Sequence, residues 1–258
     1  SAQRRYAGEY VSVPELSSGY LALDVRRPPF DDVRVRRAFA LAADRRALAD
    51  NVLRGHVFPA SGGFVPPGMP GHSPGIALPY DPELARQLLA EAGYAGGKGF
   101  PPVDAFIWTP AHVGFAETLQ AMWLENLGID ITWELVDLST RQREYREGQL
   151  EKPHLFLNAW LADYPDPEAF LGLGAPLSLP ARWTNDTYKG LIDRAGRSMS
   201  QAERIRLYQL ADSMTIEEAV VMPLTYGRRY LLVKPWVASY PLSSLGCDFW
   251  KDVVIEPH

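Results

Sequence analysis

The sequence is short of almost everything that announces chemistry. A single cysteine, Cys247, stands among 258 residues, so no internal disulfide can form, and the count neither demands nor forbids an oxidising compartment. The five histidines, at positions 56, 72, 112, 154 and 258, are scattered without an HxxxH spacing, which leaves zinc without a ligand set. No window reaches the ~18 consecutive apolar residues of a membrane-spanning helix. Lys+Arg 26 against Asp+Glu 31 gives a net charge of −5 with no basic block, which argues against a nucleic-acid footprint. Gly96-Gly97-Lys98-Gly99 lacks the frame and the Ser/Thr of a phosphate loop, and neither GxSxG nor GxGxxG occurs. Glu217-Glu218 and Asp31-Asp32 fit solvated faces and caps better than acid/base pairs. No enzyme, cofactor or metal centre is expected.

What is present belongs to a loop-rich globule. Hydrophobic residues make up 47%, which excludes disorder, and Gly 21 with Pro 22 predicts many turns. Tyr10 to Val13 and Tyr20 to Val25 read as strands, interrupted by a Pro-containing break. Helical spacing follows from Val33, a second helix is capped by Asp44, and Gly55 ends it. Residues 58–79 hold six prolines and five glycines, too many for an element interior, and read as a loop. Asp81-Pro82-Glu83 opens a helix that Gly93 closes. Residues 103–108, 114–127 and 129–135 then read as a βαβ unit. A helix is expected at 139–147 and a buried strand at 154–160. The strand runs into Ala162-Asp163-Tyr164-Pro165-Asp166-Pro167, where proline forbids continuation. Such a carboxyl end of a strand is where open α/β sheets collect ligands. Helices at about 187–196 and from Ser200, whose Ser200 to Glu203 is a capping box, precede strands at 220–226 and 230–233.

Several of these segments resemble the family 5 solute-binding proteins of ABC importers, the oligopeptide and dipeptide receptors. The resemblance is carried by Tyr20-Leu21-Ala22-Leu23 through Arg27-Pro28-Pro29-Phe30-Asp31-Asp32-Val33-Arg34, by Asp44-Arg45, and by Pro66-Pro67-Gly68-Met69-Pro70-Gly71. Tyr80-Asp81-Pro82 with Leu88 to Tyr94, Trp123 with Asn126-Leu127-Gly128-Ile129, Trp160 to Pro167, and Pro223-Leu224 with Val233-Lys234-Pro235-Trp236-Val237 complete it in the family's order. It implies an α/β chain: a periplasmic-binding-protein type II-like lobe with a mixed sheet flanked by helices, plus strands belonging to another lobe. Family members are roughly twice as long. The start, Ser1 to Tyr6, has no initiator Met or apolar leader core, so the chain is expected to be part of something longer. On that analogy, residues 1–23 pair with a first lobe, 24–225 form the second, ligand-facing lobe, and 226–258 return to the first. A periplasmic receptor, a peptide ligand and ABC permease subunits as partners are what the resemblance implies. A nickel chelate or an oligosaccharide is the same-family alternative, and the sensory domain of a transcription regulator is the other.

By the same resemblance Asp163 is the residue that pairs with a peptide's α-amino group, and a carboxylate shielded by aromatics suits that task. The competing reading is an Asx turn before Pro165. Asp166, ahead of Pro167-Glu168, reads as a helix cap instead. Trp160 offers a flat wall and an indole donor, or is a core tryptophan; Tyr164 divides the same way, and Leu161 lies between them on the strand. His112 aligns with a family histidine near the ligand and would meet its carboxylate, although a helix-start histidine is commoner, and Trp108 and Thr109 end the strand beside it. Tyr226 lines a cleft or is a buried strand aromatic. Asn185-Asp186-Thr187 matches a glycosylation sequon by chance.

Overall fold

The computed structural model describes residues 2–257 except 138, 141–142, 145–146, 148–152, 173–182, 247 and 249. Cys247, His258 and much of the helix expected at 139–147 therefore lie outside the described residues. The central element is β1 (Tyr10–Leu23), one continuous strand where the sequence suggested two. Pro14 does not break it because the register with β6 (Val221–Leu232) shifts between Pro14 and Ser18. A bulge is one of the places where a strand tolerates a missing N–H. Likewise the two strands expected at 220–226 and 230–233 are the single strand β6.

The sheet has six strands in the order β2-β6-β1-β5-β3-β4, with β2 (Phe58–Pro59), β3 (Ala105–Ile107), β4 (Trp133–Leu135) and β5 (Leu155–Leu161). β1 runs antiparallel to both β5 and β6, whereas β3 runs parallel to β4 and β5. The parallel β3–β4 pair, joined by a helix, is the βαβ unit that the alternation predicted. Within residues 10–23, the stretch from Ser18 to Ala22 thus has strand partners on both sides within this chain, and the division expected at 225/226 falls inside β6. Beyond the bulge, Tyr10 to Pro14 pair only with Leu232 to Arg228, a two-stranded ribbon that runs past the sheet.

Strand alternation sends side chains to two cores. On one face Leu21, Leu23, Leu155 and Leu157 pack against α1 (Val33–Leu41), α2 (Pro82–Glu91) and α3 (Val113–Leu127). Trp123 is fully buried there, 4.9 Å from Phe39, and its indole N–H donates to Phe39 O at 3.0 Å. Each such side chain taken from water is worth roughly 1.5–3 kcal/mol. On the other face Tyr20 and Ala22 meet α4 (Glu168–Leu171), α5 (Asp186–Arg197) and α6 (Gln201–Glu217). Asp32, Asp81, Asn185 and Ser200 each cap a helix through the side chain, so Asn185 of the sequon has a structural task.

The 58–79 segment differs most from its composition. Residues 62–66 are buried between the sheet and α6. Gly63 N–H donates to Ser73 O at 3.0 Å, Phe64 N–H to Asp212 Oδ1 at 2.8 Å, and Ser18 Oγ to Phe64 O at 2.8 Å. Proline and glycine here permit a tightly threaded path rather than looseness.

Candidate functional site

Strand β5 ends at Leu161, and the turn that follows is fastened on every side but one. Ala162 N–H donates to Leu16 O at 2.9 Å. Trp160 packs on the second core and gives its indole N–H to Ala169 O at 2.9 Å, so only its ring is open to a ligand. Asp166 accepts Glu168 N–H at 3.0 Å and forms a two-pronged ion pair with Arg204, at 2.8 and 3.3 Å. The cap expected of Asp166 is therefore present, with a cation added. The half-exposed Tyr164 hydroxyl donates to Glu168 Oε2.

Asp163 is the exception. It is exposed, and its carboxylate has no hydrogen-bond or ion-pair partner among the described residues. The Asx turn weighed against a binding role is not formed. Desolvation of a carboxylate costs free energy that only a partner returns, so an exposed, unpaired one next to aromatic surface suits an incoming cation. Beside it Leu161 is 41% exposed at the strand end.

A second group lies where β3 ends. Trp108, 38% exposed, donates its indole N–H to Asn158 Oδ1 at 3.0 Å and meets the His112 ring edge-to-face at 5.9 Å. Thr109 caps the short turn Pro110–His112 by accepting Ala111 N–H at 3.4 Å. Burial lowers the His112 pKa, and its Nδ1 is buried without a hydrogen bond among the described residues. A neutral imidazole near pH 7 follows. It can meet a ligand carboxylate through one N–H only, a weaker partner than a cation would be.

Tyr226 belongs to neither group, a correction to its place among the ligand contacts. It is 2% exposed; its hydroxyl donates to Gly63 O at 2.7 Å and accepts Gly62 N–H at 3.1 Å. Burial pushes its phenol above the ordinary range, as expected of a structural tyrosine. Two residues escaped sequence reading. Asn158 is the one amide in the apolar run Leu155 to Trp160, an interruption that was visible. Arg204, inside a charged helix, gave no local signal.

Among the described residues no group of three His, Cys, Asp or Glu could hold a metal, and no helix is long and apolar enough to cross a membrane. The profile of the bacterial extracellular solute-binding proteins, family 5 Middle, matches residues 1–175. The probable deoxycholate-binding periplasmic protein YgiS of Escherichia coli K12 is 30% identical over 99% of this chain and 49% of its own length. The periplasmic oligopeptide-binding protein OppA of the same organism is 27% identical over 88% of this chain and 42% of its own. The chain spans about half the length of these curated relatives. The structure of the Escherichia coli murein tripeptide binding protein MppA superposes with a TM-score of 0.82 at 25% identity, covering 100% of this chain and 52% of that one. The mixed sheet flanked by helices is thus a lobe of the type II periplasmic-binding architecture. On residue order, fold and profile together, the chain belongs to the bacterial extracellular solute-binding proteins of family 5.

Proposed function

We propose that this chain is the ligand-facing lobe of a peptide receptor that feeds an ABC importer from the periplasm and does no chemistry on its cargo. The observation that carries this reading is Asp163: a free, exposed carboxylate at the open end of β5, on a turn whose other polar groups are engaged. A peptide's α-ammonium is the partner such a group takes most strongly. The main chain beside it can receive an extended peptide as an added strand. The six-stranded sheet centred on β1 and its flanking helices form this lobe, and the ribbon of residues 10–14 and 228–232 reaches toward a second lobe that closes over the ligand. YgiS is named for deoxycholate, an anion, and the unpaired Asp163 carboxylate disfavours an anionic cargo here.

The test is calorimetry on the full-length protein. Asp163→Asn weakens binding of free-amino peptides by about 1.5–3 kcal/mol, the scale of a charge-assisted hydrogen bond, and leaves the melting temperature unchanged. N-acetylated peptides bind both proteins equally. A variant that melts early yet keeps its peptide affinity would make Asp163 a turn residue and remove the basis of the reading.

A further inference from the structure

The open edge of β5 is shorter than the strand. In an antiparallel pair alternate residues turn their main-chain groups toward the partner. Ala162 N–H points to β1, where it meets Leu16 O, and Leu155 N–H points the other way, to Asp104 O. Ala159 and Leu161 share the parity of Leu155 and therefore present their N–H and C=O groups to the edge away from β1. On that edge β3 pairs only as far as Phe106 with Phe156 and then diverges.

The wedge left by this divergence is filled by a side chain. Asn158 Oδ1 accepts Ala159 N–H at 2.9 Å and the Trp108 indole N–H at 3.0 Å, while Asn158 Nδ2 donates to Tyr20 Oη at 3.4 Å. Both groups on Oδ1 are obligate donors, which fixes the amide's orientation. Trp108 is braced in turn by His112 at the start of α3. Ala159 N–H, which an added strand would need, is already satisfied within the protein. Leu161 N–H and C=O have no such partner among the described residues and lie next to Asp163.

We infer that Asn158, held by Trp108, is a stop that ends main-chain pairing of a bound peptide at Leu161, and so sets the receptor for short peptides. The inference rests on the peptide reading above. A ladder repeats every two residues, ~6.8 Å, so a peptide anchored by its amine at Asp163 uses Leu161 and would reach Ala159 with about its third residue. That residue and those after it find Ala159 N–H already taken and gain no hydrogen bond from it. Asn158 is thus a specificity-determining residue for ligand length, and Trp108 positions it.

The experiment is calorimetric titration of the full-length protein with free-amino alanine peptides of two to five residues. In wild type, affinity changes by less than about twofold from the dipeptide to the pentapeptide, since a hydrogen bond alone would be worth roughly five- to tenfold. In Asn158→Ala, which frees Ala159 N–H, the tripeptide and longer peptides exceed the dipeptide by about fivefold or more, the worth of one such bond. Trp108→Phe keeps the ring against His112 but loses the indole donor, and it moves the length profile in the same direction. A wild-type affinity that keeps climbing with length, or variants with the wild-type profile, would overturn the stop and leave the peptide reading standing. No binding at any length would overturn both.

Discussion

Asp166 and Arg204 lie 38 residues apart in sequence and meet through two hydrogen bonds, at 2.8 and 3.3 Å, so the turn that presents Asp163 is anchored to helix α6. Arg204 also donates to Ala195 O at 2.9 Å and stacks on Tyr208 at 5.0 Å. One side chain therefore joins the site turn, the end of α5 and the second core. Without that anchor the turn would pay an ordering cost at each binding event.

Arg204→Met keeps an apolar stem on Tyr208 and removes the guanidinium. The expected loss of stability is about 1–2 kcal/mol, the worth of a partly buried ion pair with its carbonyl bond. The amides of Asp163, Tyr164, Asp166 and Glu168 should then exchange faster in hydrogen exchange, and free-amino peptides should bind more weakly although Arg204 does not reach them. Wild-type exchange in that turn would show that Asp166 is held without the arginine.

Tyr226→Phe separates a structural tyrosine from a ligand contact. Removing its hydroxyl leaves Gly62 N–H and Gly63 O buried without their partner, which costs about 1–3 kcal/mol. Denaturant unfolding should report that loss, while calorimetry should return the wild-type peptide affinity. A large fall in affinity with stability intact would put Tyr226 back at the cleft.

These contrasts show what the sequence could and could not reveal. Caps were legible because they are local: Asp32, Asp81 and Ser200 act within three residues of themselves. The WLADYPDP segment was legible because proline fixes where a strand must stop. The burial of residues 62–66 was not, because it depends on Asp212 and Tyr226, some 150 residues later, which satisfy the main chain of a segment whose composition alone suggests exposure. The continuity of β1 through Pro14 was hidden likewise, since a bulge is a property of two strands together.

Asp248 supports an acid-side prediction. Its carboxylate takes Arg229 at 2.7 and 2.8 Å and the Tyr240 hydroxyl at 2.8 Å, and chiefly the arginine lowers its pKa from 3.8 to about 2. A depressed acid contributes stability that is present above the unfolded value and lost as pH falls toward the folded one. Between pH 4 and about 2 wild type should therefore lose more stability than Asp248→Asn, as read by unfolding curves at each pH. Parallel curves would show that this ion pair does not couple to folding.

Asp212 runs the other way. It is fully buried, its Oδ1 accepts Phe64 N–H at 2.8 Å, and burial raises its pKa from 3.8 to about 7. The ionisable side chains that face it, Tyr188 and Tyr226, carry no positive charge, and among the described residues Asp212 has no ion-pair partner. Between the two values the folded chain keeps a proton that the unfolded chain has released. Stability from this group is therefore complete below pH 4 and declines as pH rises through about 7. In Asp212→Asn an amide oxygen still accepts from Phe64, its NH2 replaces the acid proton, and nothing titrates. Urea unfolding at pH 5 and pH 8 should find the variant close to wild type at the lower pH and more stable at the higher one. If wild type loses no stability relative to the variant between those points, the Asp212 carboxyl is ionised throughout and another group supplies its counter-charge.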